Sequence, residues 1–182
     1  MKKVKILIIV FTIFLIGCFA STRSSKPHSE PDGFRSIKWG TEISTIEDME
    51  RVKQDKSSNS DLVWYIRKGD ALTIGKAKLE NIFYFFWMGK FESVWIDFKG
   101  DENFESLKKE LFKLFGKALE SEEPSKAERK DFYTWWGENT DVVLSYSKDR
   151  HMGILDIRST KISEERRAHE KEKEKEEKLR KR

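Results

Sequence analysis

Three histidines, one cysteine and a large set of carboxylates are the residues of this chain with the reactivity for catalysis or metal binding. The histidines stand at His28, His151 and His169, in a Ser- and Pro-rich stretch, a turn-like stretch and a charged stretch. No two share an i, i+4 helical face, so a zinc-binding histidine pair has no basis. Cys18 is the single cysteine among 182 residues, which rules out an intramolecular disulfide and a thiolate metal cluster. Neither a phosphate-cradling glycine loop nor a Gly-x-Ser-x-Gly elbow occurs. Asp97, Asp141 and Asp156 lie near strand-like runs, and their simplest reading is as exposed-face residues. A carboxylate pair at glycosidase spacing is the one catalytic constellation left open. No metal and no cofactor is expected.

The surroundings of Cys18 give it a different chemistry. Lys2, Lys3 and Lys5 precede the run Ile6 to Ile16, apolar except for Thr12, which has the charged and apolar regions of an export signal. The run is too short to span a bilayer, which takes about 20 apolar residues. At its end, Leu15-Ile16-Gly17-Cys18 resembles the lipobox of bacterial prolipoproteins. That resemblance implies cleavage before Cys18, a diacylglyceryl thioether on its sulfur and acylation of the new N-terminus. One acyl chain holds a protein only marginally, at about 0.8 kcal/mol per buried methylene, so several are needed for stable anchoring. Phe19 follows the cysteine where many inner-membrane lipoproteins of Gram-negative bacteria carry aspartate, so the resemblance points to the outer membrane, facing the periplasm. Without the lipobox the same leader reads as an ordinary cleaved signal or an uncleaved anchor.

The expected division is a signal peptide over 1–17, lipidated Cys18 and a flexible Ser- and Pro-rich tether over 18–32, one domain over 33–163 and a charged tail over 164–182. The chain has 36 Lys and Arg against 32 Asp and Glu, and three of the bases sit in the leader, so the mature protein is nearly neutral. A nucleic-acid partner, which needs a basic domain or stripe, is not expected. About 130 residues suffice for one core.

Elements can be placed along that domain. Ser44 and Glu47 have capping-box spacing, with Ile46 and Met49 on one face of a short helix. Leu62 to Ile66, Leu72 to Gly75, Ile82 to Met88 and Phe91 to Phe98 read as strands, the last two joined by a type II′ turn at Gly89-Lys90. In Phe91 to Phe98, residues Val94, Ile96 and Phe98 share one face and Ser93, Trp95 and Asp97 the other. Asp101 is placed to cap a helix running to Phe115, with Phe104, Leu107, Leu111, Phe112, Leu114 and Phe115 forming its apolar stripe and Gly116 at its C-terminal cap. Phe132 to Trp136, Val142 to Tyr146 and Ile154 to Arg158 are further strands. The order predicts an α+β fold: an antiparallel sheet of about six strands with two main helices packed on it, hinting at two similar halves. The charged tail, helical or disordered, lacks an apolar face and is expected to stay solvated, with Glu174 to Lys178, Glu176 to Arg180 and Glu177 to Lys181 as helix-supporting pairs.

Trp64, Trp87, Trp95, Trp135 and Trp136 cannot all point to one core, because the adjacent Trp135 and Trp136 must diverge. The simpler account is that a helix or loop covers the second face. The other is a binding surface built from Trp64, Trp95, Trp135 and Trp136, for an envelope protein or a glycan.

The segments Asp32-Gly33-Phe34, Ile37 to Thr41, Tyr65 to Asp70, Ile74 to Leu79, Gly89-Lys90-Phe91 and Phe115-Gly116 resemble a family of small exported Gram-negative proteins with no assigned activity. The resemblance covers most of residues 32–163 and brings no functional residues. The expectation is therefore a membrane-anchored, non-catalytic binding or envelope-associated module. An envelope hydrolase using paired carboxylates is the alternative, and the oligomeric state is left open.

Overall fold

Alternation in Phe91 to Phe98 sorts the side chains as expected: Val94, Ile96 and Phe98 are buried, while Trp95 is exposed and Ser93 and Asp97 are half-buried. The strand belongs to a computed structural model of the chain, which describes residues 30–53, 61–120 and 130–181. The lipobox with Cys18, the tether up to residue 29, and segments 54–60 and 121–129 lie outside the described residues.

In chain order the elements are β1 (Gly33–Phe34), β2 (Ile37–Lys38), a 3₁₀ turn (Ile43–Thr45), β3 (Met49–Arg51), β4 (Leu62–Arg67), β5 (Thr73–Ile74), β6 (Ala77–Lys78), β7 (Asn81–Trp87), β8 (Lys90–Lys99), α1 (Asp101–Phe115), β9 (Leu119–Glu120), β10 (Lys130–Trp136), β11 (Thr140–Ser147), β12 (Met152–Ser159) and α2 (Thr160–Arg180). Eight strands form one antiparallel sheet in the order β3-β4-β7-β8-β12-β11-β10-β9, and the α+β class is as the sequence predicts. The extra strands, β3 and β9, sit at the two edges and are too short to carry a pattern.

Two four-strand meanders make this sheet, each ending in a helix, and they meet where β8 pairs antiparallel with β12. Such an arrangement has an approximate two-fold axis normal to the sheet; the halves it relates run strands then helix, whereas the repetition expected from the sequence is helix then strands, and the first of those helices is absent among the described residues. α1 obeys the axis, laying Phe104, Leu107, Leu111 and Phe115 on one face of the sheet, while Phe112 is half-buried and Leu114 of the expected stripe turns to solvent. Its rings meet those of the second meander, with Phe104 stacked on Tyr146 at 4.5 Å and Phe115 6.1 Å from Trp135. Gly153 makes room for this stack, since a Cβ there would lie 2.1 Å from Phe98 Cζ.

The matching place over the first meander is taken by the N-terminal segment. Phe34 lies 6.0 Å from Tyr84, Trp39 lies 4.9 Å from Phe91, and Trp39 Nε1 donates to Thr140 Oγ1 at 2.7 Å. α2 is displaced to the rim, across the ends of β12, β8, β7 and β4. There Ser163 and Arg166 reach Glu92, His169 meets the Trp87 ring at 5.9 Å, and Lys173 pairs with Asp61.

Several local expectations are corrected. The capping box at Ser44 makes no helix: a three-residue 3₁₀ turn ends at Ile46, Asp48 adopts a φ of 66°, and Met49–Arg51 pairs with β4 instead. A helix that short gains little against its nucleation cost, so strand pairing wins. The β7–β8 turn falls one residue early. Trp87 pairs with Lys90, and Met88 and Gly89 both have positive φ (47° and 82°), the mark of type I′ rather than II′. α1 has the expected bounds, but Gly100 occupies its cap position and no side chain caps it; the Asp101 carboxylate accepts the Tyr146 hydroxyl instead.

The charged tail is also corrected. α2 starts at Thr160, capped by Ser159 Oγ accepting from Ile162 N at 3.3 Å, and its first half docks through polar residues three or four apart. Only its last turns match the expected solvated helix, with the three Glu-to-Lys and Glu-to-Arg pairs in place at 3.9, 3.8 and 2.6 Å.

Candidate binding face

Strand register assigns every side chain of the sheet to one of two faces. The covered face carries Tyr84, Phe86, Val94, Ile96, Phe98, Leu144, Tyr146 and Leu155 beneath α1 and the N-terminal segment. Among the described residues no helix lies across the other face. A solvated face of an antiparallel sheet is ordinarily polar. Here one row reads Trp64, Phe85, Ser93, Arg158, Asp141 and Trp136 across β4, β7, β8, β12, β11 and β10. The next reads Ile66, Phe83, Trp95, Asp156, Val143 and Thr134.

Of the four tryptophans singled out as a surface, three lie on this open face. Trp64 is half-buried, its ring 5.3 Å from Phe85 and 6.4 Å from Phe83; Trp95 is 40% exposed; Trp136 is 42% exposed but stands four strands from Trp64's neighbour β7. Trp135 does not belong to the surface. At 4% exposure it is in the core, its Nε1 donating to Gly116 O at 3.0 Å and its ring edge-on to Phe112 at 5.5 Å. The divergence of adjacent residues in a strand requires one of Trp135 and Trp136 to point inward, and α1 selects Trp135. Trp64 and Trp95, with Phe83 and Phe85 between them, therefore make one aromatic platform, and Trp136 a separate outlier. Among the described residues, cover by a helix or loop holds only at the rim, under α2.

A polar cluster sits between platform and rim. Between Phe85 and Phe86 the β7–β8 register shifts, so that Phe85 faces Ser93, Phe86 faces Phe91, and Glu92 is left over as a bulge. The bulge turns Glu92 under α2, where it is 1% exposed and accepts from Ser163 Oγ at 2.9 Å and from Arg166 Nε at 2.8 and 2.9 Å. Arg166 also reaches Glu170 at 3.0 Å. Arg158 pairs with Asp156 one row away. Leu62, Phe85, Trp95, Asp156, Arg158 and Arg166 bound a cavity of about 220 Å³ at this junction.

Burial holds the Asp156 carboxyl above its ordinary 3.8, against the pull of Arg158, with Glu92 and Asp141 pushing the same way. Asp141 is only 6% exposed, and burial raises it too, offset by Thr160, the Gly137 N–H and Arg158. Neither is the simple exposed-face residue the sequence suggests. Buried polar groups persist only when partnered, and the arginines supply the partners. Trp95 Nε1 donates to Asp97 Oδ1 at 2.8 Å, which fixes the indole on the face.

Glu92, Arg158 and Arg166 went unnoticed in the sequence. One signal was available: Glu92 shares its parity with Val94, Ile96 and Phe98, a charge where the alternation calls for an apolar residue. The sequence gives no sign of the bulge that rescues it.

His151 lies apart, with Nδ1 3.4 Å from Asp101 Oδ1. Among the described residues no three His, Cys, Asp or Glu side chains are grouped to hold a metal ion, and no helix is long and apolar enough to cross a membrane. Comparison of the chain with protein-family models, with curated proteins and with solved structures gives no match.

Proposed function

We propose that this protein is a lipid-anchored, non-catalytic binding module. Acylated Cys18 tethers it to the bilayer, at the outer membrane facing the periplasm, and the open face of its sheet engages an envelope protein or glycan. The observation that carries the reading is the platform of Trp64, Phe83, Phe85 and Trp95 on a face that solvent would otherwise make polar. Contiguous aromatic surface of this kind marks interaction sites, and Trp supplies much of the binding energy where it occurs.

The anchor is tested by Cys18→Ser. Fatty-acid labelling and membrane retention should both disappear, and persistence of both would refute the lipobox reading. The face is tested by crosslinking in intact cells: Trp64→Ser with Trp95→Ser should remove crosslinks that Trp136→Ser leaves in place. An unchanged crosslink pattern in the double variant sinks the binding-face idea.

A second reading, an envelope hydrolase using paired carboxylates, draws on the raised Asp156 and Asp141 carboxyls beside the small cavity. Two contacts weigh against it: Arg158 already occupies Asp156, and Glu92 is closed off by Ser163 and Arg166.

A further inference from the structure

We infer that the partner of the open face is a second copy of this chain, packed face to face about a two-fold axis that runs across the strands between the rows of Arg158 and Asp156. This rests on reading the open face as a binding surface. Two copies can stack these faces about an axis lying in the plane between them, either along the strands or across them. An axis along the strands, between β8 and β12, exchanges those two strands and sets Asp156 of one copy against Trp95 of the other, and Asp141 against Phe85. Carboxylates would then lie against aromatic rings, with no opposite charge supplied by the partner copy.

The axis across the strands keeps each strand over itself and exchanges the two rows. Arg158 of one copy then faces Asp156 of the other, twice, Phe85 faces Phe83, Trp95 faces Ser93, and Asp141, held by Thr160 and the Gly137 N–H of its own chain, faces Val143. The Arg158 and Asp156 charges complement one another and Phe85 meets Phe83, as an isologous interface demands. The ends of the face match as well. The end next to Ser93 is raised, because α2 stands there with Arg166 reaching Glu92. The opposite end holds a hollow of about 390 Å³ bounded by Asp97, Ser145, Met152 and Ile154, among others. The same rotation brings the raised end of each copy over the hollow end of its partner.

The opposed pair gives a test that folding defects cannot imitate. Asp156→Arg makes both positions positive and Arg158→Asp makes both negative, so each variant repels its own copy but attracts the other. The full-length chain in detergent is sized by light scattering with the detergent mass subtracted, and circular dichroism checks each variant. Wild type should have the mass of two chains, each single variant should self-associate at least about tenfold more weakly, and an equimolar mixture should recover the dimer mass. Trp95→Glu, at an exposed position outside the ion pair, should likewise weaken association about tenfold or more. A wild type that stays monomeric at roughly 100 μM, or a mixture no more associated than its components, overturns the inference. If wild type is monomeric while Trp64- and Trp95-dependent crosslinks to another component appear, the second copy is the wrong partner and the binding face stands. If neither is seen, both fall.

Discussion

On β8, Val94, Ile96 and Phe98 are sealed beneath α1 and the N-terminal segment, while Trp95, which lies between the first two, keeps 40% of its surface in solvent. Over β4 and β7 both faces are apolar enough to bury. What separates them is the supply of covering elements. α1 leaves β8 through Gly100 and falls on one face; the N-terminal segment, led by Phe34, Ile37 and Trp39, takes the matching place over the first meander. α2 has no apolar stripe to compete with those three residues, so it settles on the rim by hydrogen bonds and ion pairs. Burial in this fold thus follows topology as much as composition, and the aromatic residues left without cover are the ones with binding capacity.

The sharpest way to break the comparison is to truncate one residue on each face. Leu107→Ala, beneath the helix and fully buried, should cost about 2–5 kcal/mol of stability. Trp95→Ala should cost about 1 kcal/mol or less when measured at a chain concentration low enough for monomer. Urea unfolding followed by circular dichroism reads both, and equal losses would mean that the open face is covered after all. Next in size is the rim. Arg166→Ala leaves Glu92 buried without its cation and should cost about 3 kcal/mol, the low end for a broken buried ion pair. A much smaller loss would show that α2 contributes little beyond its first turn.

The smallest effect lies in pH. Folding raises the Asp156 and Asp141 carboxyls, so the folded chain holds protons that the unfolded chain releases near 3.8. Their contribution to stability is therefore greatest below that pH and declines as pH rises through the raised values. Asp101, lowered chiefly by the Tyr146 hydroxyl, runs the opposite way: its contribution is present above 3.8 and lost on acidification. Asp156→Asn should flatten part of the decline in stability that sets in as pH rises above 3.8, read from urea midpoints measured from that pH upward. An unchanged slope would remove Asp156 from the account.

Much of the covered face was legible, because long alternating or 3.6-periodic runs such as Phe91 to Phe98 and Asp101 to Phe115 dictate their own burial. Short elements were not. β3 and β9 exist only as partners of β4 and β10, and no run of two or three residues signals that. The rim helix escaped for a different reason. Ser163, Arg166, His169 and Lys173 recur at helical spacing, but a docking stripe made of polar residues looks the same in sequence as a solvated face. The candidate surface was half legible: adjacency forced Trp135 and Trp136 apart, yet which of them turned inward depended on where α1 lay.

The meeting of the two meanders bears on how the chain folds. Ser93 pairs with Arg158 and Phe98 with Gly153, so the middle of the sheet joins residues more than fifty positions apart in sequence. Contacts this distant must be reached by closing a long loop before they return any energy, which slows folding relative to helical proteins of the same size. Until the second meander arrives, β8 is an unpaired edge with one face already apolar, a template for the wrong strand. The step that completes the sheet is also the one that removes its most adhesive edge.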